Sequence, residues 1–162
     1  MKPVAEHHLG RLRAQRLCSV IQARRLAYES CSAAEASQLA RRYLDLAEQL
    51  PFWLLHNGLT HTLNYLAFCA SDRAGKQAAA DLIDDWMHNA DNNHEGLHLR
   101  DLAGGDRSVD GRLEFRRALR LALGEADDLK LFAQAELARL AKPEPMANDS
   151  AADQGGDAHV AQ

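Results

Sequence analysis

Residues 50–68 read LPFWLLHNGLTHTLNYLAF, and this stretch decides the fold class. It is apolar on helical spacing and never alternates with period two, so it belongs to helices rather than strands. Pro51 ends or kinks whatever helix precedes it, because it lacks an N–H and its ring crowds the carbonyl one turn back. It also suits the first position of a short helical turn over Phe52–His56. Asn57-Gly58 is then a turn signal, with Asn57 placed to cap and Gly58 to supply the reversal. Leu59, Leu63, Leu66 and Ala70 define a further helix beyond it.

Outward from this stretch the helical period holds in both directions. Toward the N-terminus, Leu9, Leu12, Leu17, Val20, Ile21 and Ala27 form one stripe on a helix from about His7 to Glu29. Ser32 with Glu35 three residues on is a capping box, so the next helix starts at Ala33. Its stripe is Ala36, Leu39, Tyr43, Leu46, Ala47 and Leu50. Toward the C-terminus, Asp72 introduces a helix from about Ala74 to His88, with Ala79, Leu82, Ile83 and Trp86 on its buried side. Residues 89–108 are polar, acidic and glycine-bearing, a long connection with one turn expected near 97–103. Ser108 is the expected cap of the longest helix, about Val109 to Leu140, along Phe115, Ala118, Leu119, Ala122, Ala126, Leu129, Phe132 and Leu137. Gly124 inside it costs about 1 kcal/mol relative to alanine, which predicts a frayed or kinked middle. No segment has strand periodicity. The expectation is an all-α, single-domain bundle of five to six helices over residues 1–142, followed by a disordered acidic tail at 143–162.

Composition narrows the function classes. The chain has 162 residues, the usual size of one domain, and needs no metal or disulfide staple to bury a core. Its 3 cysteines, an odd count without C-x-x-C, argue against a disulfide framework and a zinc ribbon. The start, MKPVAEHH, has no apolar leader, and no run reaches the length of a membrane span, so a cytoplasmic protein with no membrane contact is expected. Charge is unevenly spread. Residues 1–42 carry 8 bases against 3 acids, whereas residues 81–114 carry 9 acids against 3 bases. Two solvated faces account for that pattern. So does a basic surface for phosphates opposite an acidic one for a protein neighbour.

Three constellations bear on chemistry. His94-Glu95-Gly96-Leu97-His98 satisfies H-E-x-x-H, in which two histidines on one helical face bind Zn²⁺ and the glutamate acts as base. Gly96 inside the motif and Asp91-Asn92-Asn93 before it oppose the firm helix this chemistry needs. Asp101 stands where the longer zincin pattern needs glycine, and the chain offers no edge strand to align a peptide substrate. A zinc hydrolase is therefore the alternative reading, and no catalytic residue, metal or cofactor is expected. His56 and His61 flank the Asn57-Gly58 turn without a nucleophile in reach: Cys69 lies eight residues past His61, about 12 Å along a helix. The third constellation is the arginine pairs Arg24-Arg25, Arg41-Arg42 and Arg116-Arg117. Neighbours on a helix point about 100° apart, so each pair straddles a face. With Arg16 and Lys130 they are the candidate RNA-binding set, tracking phosphates without reading sequence, since no aromatics interleave them.

Read in order, several segments resemble one family. They are Ala14-Gln15-Arg16 in the first helix, Leu50-Pro51 before Asn57-Gly58-Leu59, Thr62-Leu63 and Tyr65-Leu66, and Leu82 to Trp86. Phe115-Arg116-Arg117-Ala118 and Leu129-Lys130-Leu131-Phe132-Ala133-Gln134-Ala135-Glu136-Leu137 complete the series. Over about residues 11–140 the chain resembles the small subunit of the type III-B CRISPR Cmr effector complex. That resemblance implies a non-catalytic structural subunit of an antiviral, RNA-targeting ribonucleoprotein. Its copies stack in a filament along the duplex of crRNA and target RNA. They pack against a Cas10-type large subunit and the backbone RAMP subunits, which carry out RNA cleavage. The type III-A small subunit, a helical relative with the same role, is the neighbouring alternative.

Overall fold

A computed structural model of the chain describes residues 3–68, 72–93 and 109–142. Four helices make up these residues: α1 (Pro3–Glu29), α2 (Ala33–Phe68), α3 (Arg73–Asn93) and α4 (Val109–Ala141). No strand occurs among them, and the all-α class is as the sequence reading has it. The His-rich stretch 94–108, with its expected helical turn and its H-E-x-x-H motif, and the acidic tail 143–162 lie outside the described residues.

The helix starts follow local chemistry. The backbone N–H of Glu35 donates to Ser32 Oγ at 3.3 Å, and that of Ala36 to the Ser32 carbonyl at 2.8 Å, so Ser32 caps α2 as expected. Asp72 does the same for α3. Its Oδ1 accepts from the Gly75 N–H at 2.6 Å, and its carbonyl from the Lys76 N–H at 3.0 Å.

Four helices stand where five to six were expected, and the difference arises at Pro51 and Gly58. Both lie inside α2, which runs on to Phe68. Gly58, with φ 73° and ψ 174°, is not helical: two helical arms meet there across a kink, as the Asn57-Gly58 turn signal predicts, whereas Pro51 lies within the first arm. Those dihedrals belong to a region essentially reserved for glycine. Thr62, fully buried, donates its hydroxyl to the Gly58 carbonyl at 2.8 Å and ties down the turn beyond the kink. Leu50, Trp53, Leu54, Leu59 and Leu66 are all buried on both sides of it, and their packing holds the two arms against the core. The kink or fray expected at Gly124 is absent: this exposed glycine sits inside the continuous helix α4.

α2 is the hub, packed against α4 and α3, with α1 laid across α4 and α3. The buried stripe of α2 is Ala36, Leu39, Ala40, Tyr43, Ala47 and Leu50, close to the sequence reading. On α3 it is Ala78, Ala79, Leu82, Trp86 and Met87, and on α4 it is Ala122, Ala126, Leu129, Ala133 and Leu137. The stripe of α1 departs from expectation. Leu17, Ile21 and Tyr28 are buried, whereas Leu12 and Ala27 are exposed. The inward face of α1 thus ends in Arg24 and Tyr28, whose polar ends find partners on α3.

Candidate nucleic-acid interface and the buried ion-pair network

The candidate arginines divide by where the helices place them. Arg24 faces inward. Its Nη1 donates to Asp81 Oδ1 at 2.6 Å, while Nε and Nη2 reach the two oxygens of Asp85 at 3.0 and 2.8 Å. Tyr28 donates its hydroxyl to Asp81 Oδ2 at 2.8 Å, and Tyr43 to Asp85 Oδ2 at 2.9 Å. Gln77 Nε2 adds a bond to Asp81 Oδ1 at 3.0 Å. The two tyrosine rings meet edge to face, with centroids 6.4 Å apart. Three helices are joined here, and Tyr28, Tyr43, Asp81 and Asp85 are almost wholly removed from water.

The electrostatics follow from that burial. Desolvation would lower the Arg24 pKa, but its hydrogen bond to Asp85 and the charges of Asp85 and Asp81 outweigh it and hold Arg24 above its ordinary value. Burial raises Tyr28, helped by the charge of Asp81 and the hydrogen bond to it. Tyr43 is raised by burial and then by Asp85. Asp85 is raised by burial, against the pull of Arg24 and of the Tyr43 hydroxyl. A bidentate guanidinium beside Asp85 keeps the pair charged at neutral pH. The guanidinium of Arg24 is committed to this structural network.

The other bases lie nearer the surface. Arg25 is half-buried between Glu29 at 3.8 Å and Glu136 at 3.6 Å, and so ties α1 to α4. Arg41 is exposed and donates to the Ala141 carbonyl at 3.3 Å, with Ser37 Oγ reaching the same oxygen at 3.5 Å. The start of α2 therefore caps the end of α4. Arg42 bridges to Asp72 at 2.7 Å and fastens α2 to the start of α3. The Gly75 N–H, and then Arg42, hold the Asp72 carboxyl below its ordinary range. Arg16 and Arg116 are exposed on α1 and α4, and Lys130 is partly buried on α4. The side chain of Arg117 lies outside the described residues. Pro51 is partly buried, Gly58 makes the kink, and Asn57 is exposed, the turn being held by Thr62.

The residues that sequence reasoning missed are Asp81, Asp85, Tyr28 and Tyr43. A signal for them existed. Asp81 and Asp85 stand four apart and interleave with Ala78, Leu82 and Trp86, so they fall on the stripe that packs inward. An open groove of about 760 Å³ runs beside the network, lined by Arg24, Tyr28, Cys31, Gln38, Gln77 and Asp81 among others. Among the described residues no group of three or more His, Cys, Asp or Glu side chains is arranged to hold a metal ion. No described helix is long and apolar enough to cross a membrane.

The fold and its charged groups define a helical-bundle protein whose arginines join helices at four seams, through Arg24, Arg25, Arg41 and Arg42, and leave other bases on the surface. A model of the family described as CRISPR-associated protein (Cas_Cmr5) matches residues 21–136, and the chain belongs to that family, the small subunit of type III-B CRISPR complexes. No curated protein and no solved structure matches the chain.

Proposed function

We propose that this protein is a non-catalytic structural subunit of a type III-B effector complex, stacking with other copies along the crRNA–target RNA duplex and strengthening target RNA binding. The observation that carries this reading is the family match across residues 21–136, which spans parts of all four helices. The placement of charge supports it. Arg16, Arg41 and Arg116 present exposed guanidinium groups from α1, α2 and α4, with Lys130 beside them in the candidate set. Such groups contact phosphates irrespective of sequence. Arg24 drops out of the RNA-contacting set, because its donors already serve two buried carboxylates. Arg25 and Arg42 contribute mainly by fixing α1 and α2 against their neighbours. The Cas10-type large subunit and the backbone subunits are the protein neighbours in this reading; of the acids in residues 81–114, Asp81 and Asp85 are committed to the Arg24 network, and the exposed Asp84 suits such a contact.

The test is the salt dependence of target RNA binding by the assembled complex. Removing one cation that pairs with a phosphate flattens the slope of log K against log salt by about 0.7–0.9. The triple variant Arg16→Ala, Arg41→Ala, Arg116→Ala is expected to flatten it by about two to three times that amount, equally for unrelated target sequences. An unchanged slope with a normally assembled complex removes these residues from the RNA surface.

A further inference from the structure

The end of α4 gathers cations that no acid answers. Arg139 and Lys142 lie three residues apart and are both exposed, and exposed Arg41 reaches across from α2 to the Ala141 carbonyl at 3.3 Å. None of the three forms an ion pair among the described residues, whereas Arg24, Arg25 and Arg42 each meet a carboxylate. The negative end of the α4 dipole favours cations at this place, yet it leaves their outward charge unmet. Arg41 uses Nη2 to reach Ala141, and the rest of its donor fork remains for an anion.

The chain carries an anion of its own at the same point. Residues 143–162 follow Lys142 directly and hold Glu144, Asp149, Asp153 and Asp157 with no Lys or Arg. These acids equal the formal net charge of −4, so the rest of the chain is neutral. Asp149 comes eight residues after Ala141, and a flexible run of that length spans about 14–17 Å, enough to return to the cluster.

We propose that the acidic segment 143–162 is an internal occupant of the cluster formed by Arg41, Arg139 and Lys142, and that RNA phosphates must displace it. Its tether selects it over free anions, because a short flexible connection sets an effective concentration in the millimolar range. Single exposed ion pairs are weak, so the contact is loose and yields to salt. Arg41 belongs to the proposed phosphate-contacting set, so the competition with RNA rests on that reading, while the fold-back does not. RNA that arrives at Arg41 expels carboxylates in place of small counterions. The tail therefore lowers RNA affinity at low salt and flattens its salt dependence.

Nuclear magnetic resonance of the full-length chain tests the fold-back. The comparison is a variant of the same length carrying Glu144→Gln, Asp149→Asn, Asp153→Asn and Asp157→Asn. At about 50 mM salt the spectra should differ at the Arg41 and Arg139 Nε–H groups and the Ser37 amide, and the Arg41 and Ser37 differences should vanish near about 0.5 M. Superimposable spectra at these groups overturn the proposal. So do differences centred on Arg16 or Arg116, which place the tail on other bases, and differences that grow with protein concentration, which place it on another copy. In the assembled complex the neutral tail should raise target RNA affinity at least about threefold at low salt and leave it unchanged at high salt. Fold-back without that gain overturns the competition. Failure of the RNA reading is told apart by the slope measured with Arg16→Ala, Arg41→Ala and Arg116→Ala, which bears on phosphate contact and not on the fold-back.

Discussion

Removing Arg24 should destabilise the fold more than removing any surface arginine. Arg24→Ala leaves two carboxylates, Asp81 and Asp85, buried without their cation; their residues are only 6% and 4% exposed. Asp85 loses two of the three hydrogen bonds that reach it and keeps the one from Tyr43, while Asp81 keeps Tyr28 and Gln77. Breaking a buried ion pair by deleting one partner costs about 3–5 kcal/mol, mostly from the charge left behind. Against a typical domain stability of about 5–15 kcal/mol that is a large fraction. With a urea m-value near 2 kcal/mol/M, the unfolding midpoint should fall by about 2 M. Arg24→Lys should recover little, because an ammonium cannot reproduce the bidentate fork to Asp85. Arg24→Met combined with Asp81→Leu and Asp85→Leu should cost less than Arg24→Ala alone, since no stranded charge remains. Urea unfolding monitored by circular dichroism measures all of these. A loss below about 1 kcal/mol in Arg24→Ala, or a triple variant worse than the single, refutes the reasoning.

Other outcomes follow from the same geometry. Tyr28 and Tyr43 are both raised in the folded protein, so they keep protons that the unfolded chain releases above about pH 10; their contribution is intact below that pH and declines above it. Stability should therefore fall by up to about 2.7 kcal/mol per pH unit in alkaline urea titrations, and Tyr28→Phe should halve that slope. Asp72 is lowered, so its contribution is present above its ordinary pKa and lost as pH falls; Asp72→Asn should make stability less sensitive to acid between pH 5 and the acid limit. Alanine should act oppositely at two glycines, although no atom would meet the new methyl at either. Gly58→Ala should cost about 1–3 kcal/mol through its positive φ, and Gly124→Ala should gain about 0.5–1 kcal/mol in an exposed helix, both read by urea midpoint.

Much of the bundle was legible because helices write a 3.6-residue period into sequence. The stripes of α2, α3 and α4 emerge from the spacing of Leu39 to Leu50, Leu82 to Trp86 and Ala122 to Leu137. The α2 cap at Ser32 emerges from its side-chain chemistry. What escaped depended on partners distant in sequence. Pro51 carries a strong local signal to stop a helix, yet the packing of Leu50 and Leu54 keeps the first arm of α2 running past it; Gly58 does break the helix, and the packing of Leu59 and Leu66 holds the second arm against the core. Arg24 looked like half of a surface pair, because nothing local reveals that Asp81 and Asp85, 57 and 61 residues away, will meet it. Leu12 and Ala27 were read into the core for the same reason: a stripe shows which residues can face inward, and the neighbouring helices decide which do. The candidate interface was thus readable as a set of cations, and the fold sorted those cations into network, seam and surface.

The measurement that bears most directly on a non-catalytic, RNA-supporting role compares type III-B complexes reconstituted with and without this chain. Target RNA affinity and the rate of target cleavage at saturating RNA are read on the same preparations. The account predicts that omission weakens target affinity, more so at low salt, while cleavage at saturation persists. Unchanged affinity together with abolished cleavage at saturation would contradict it.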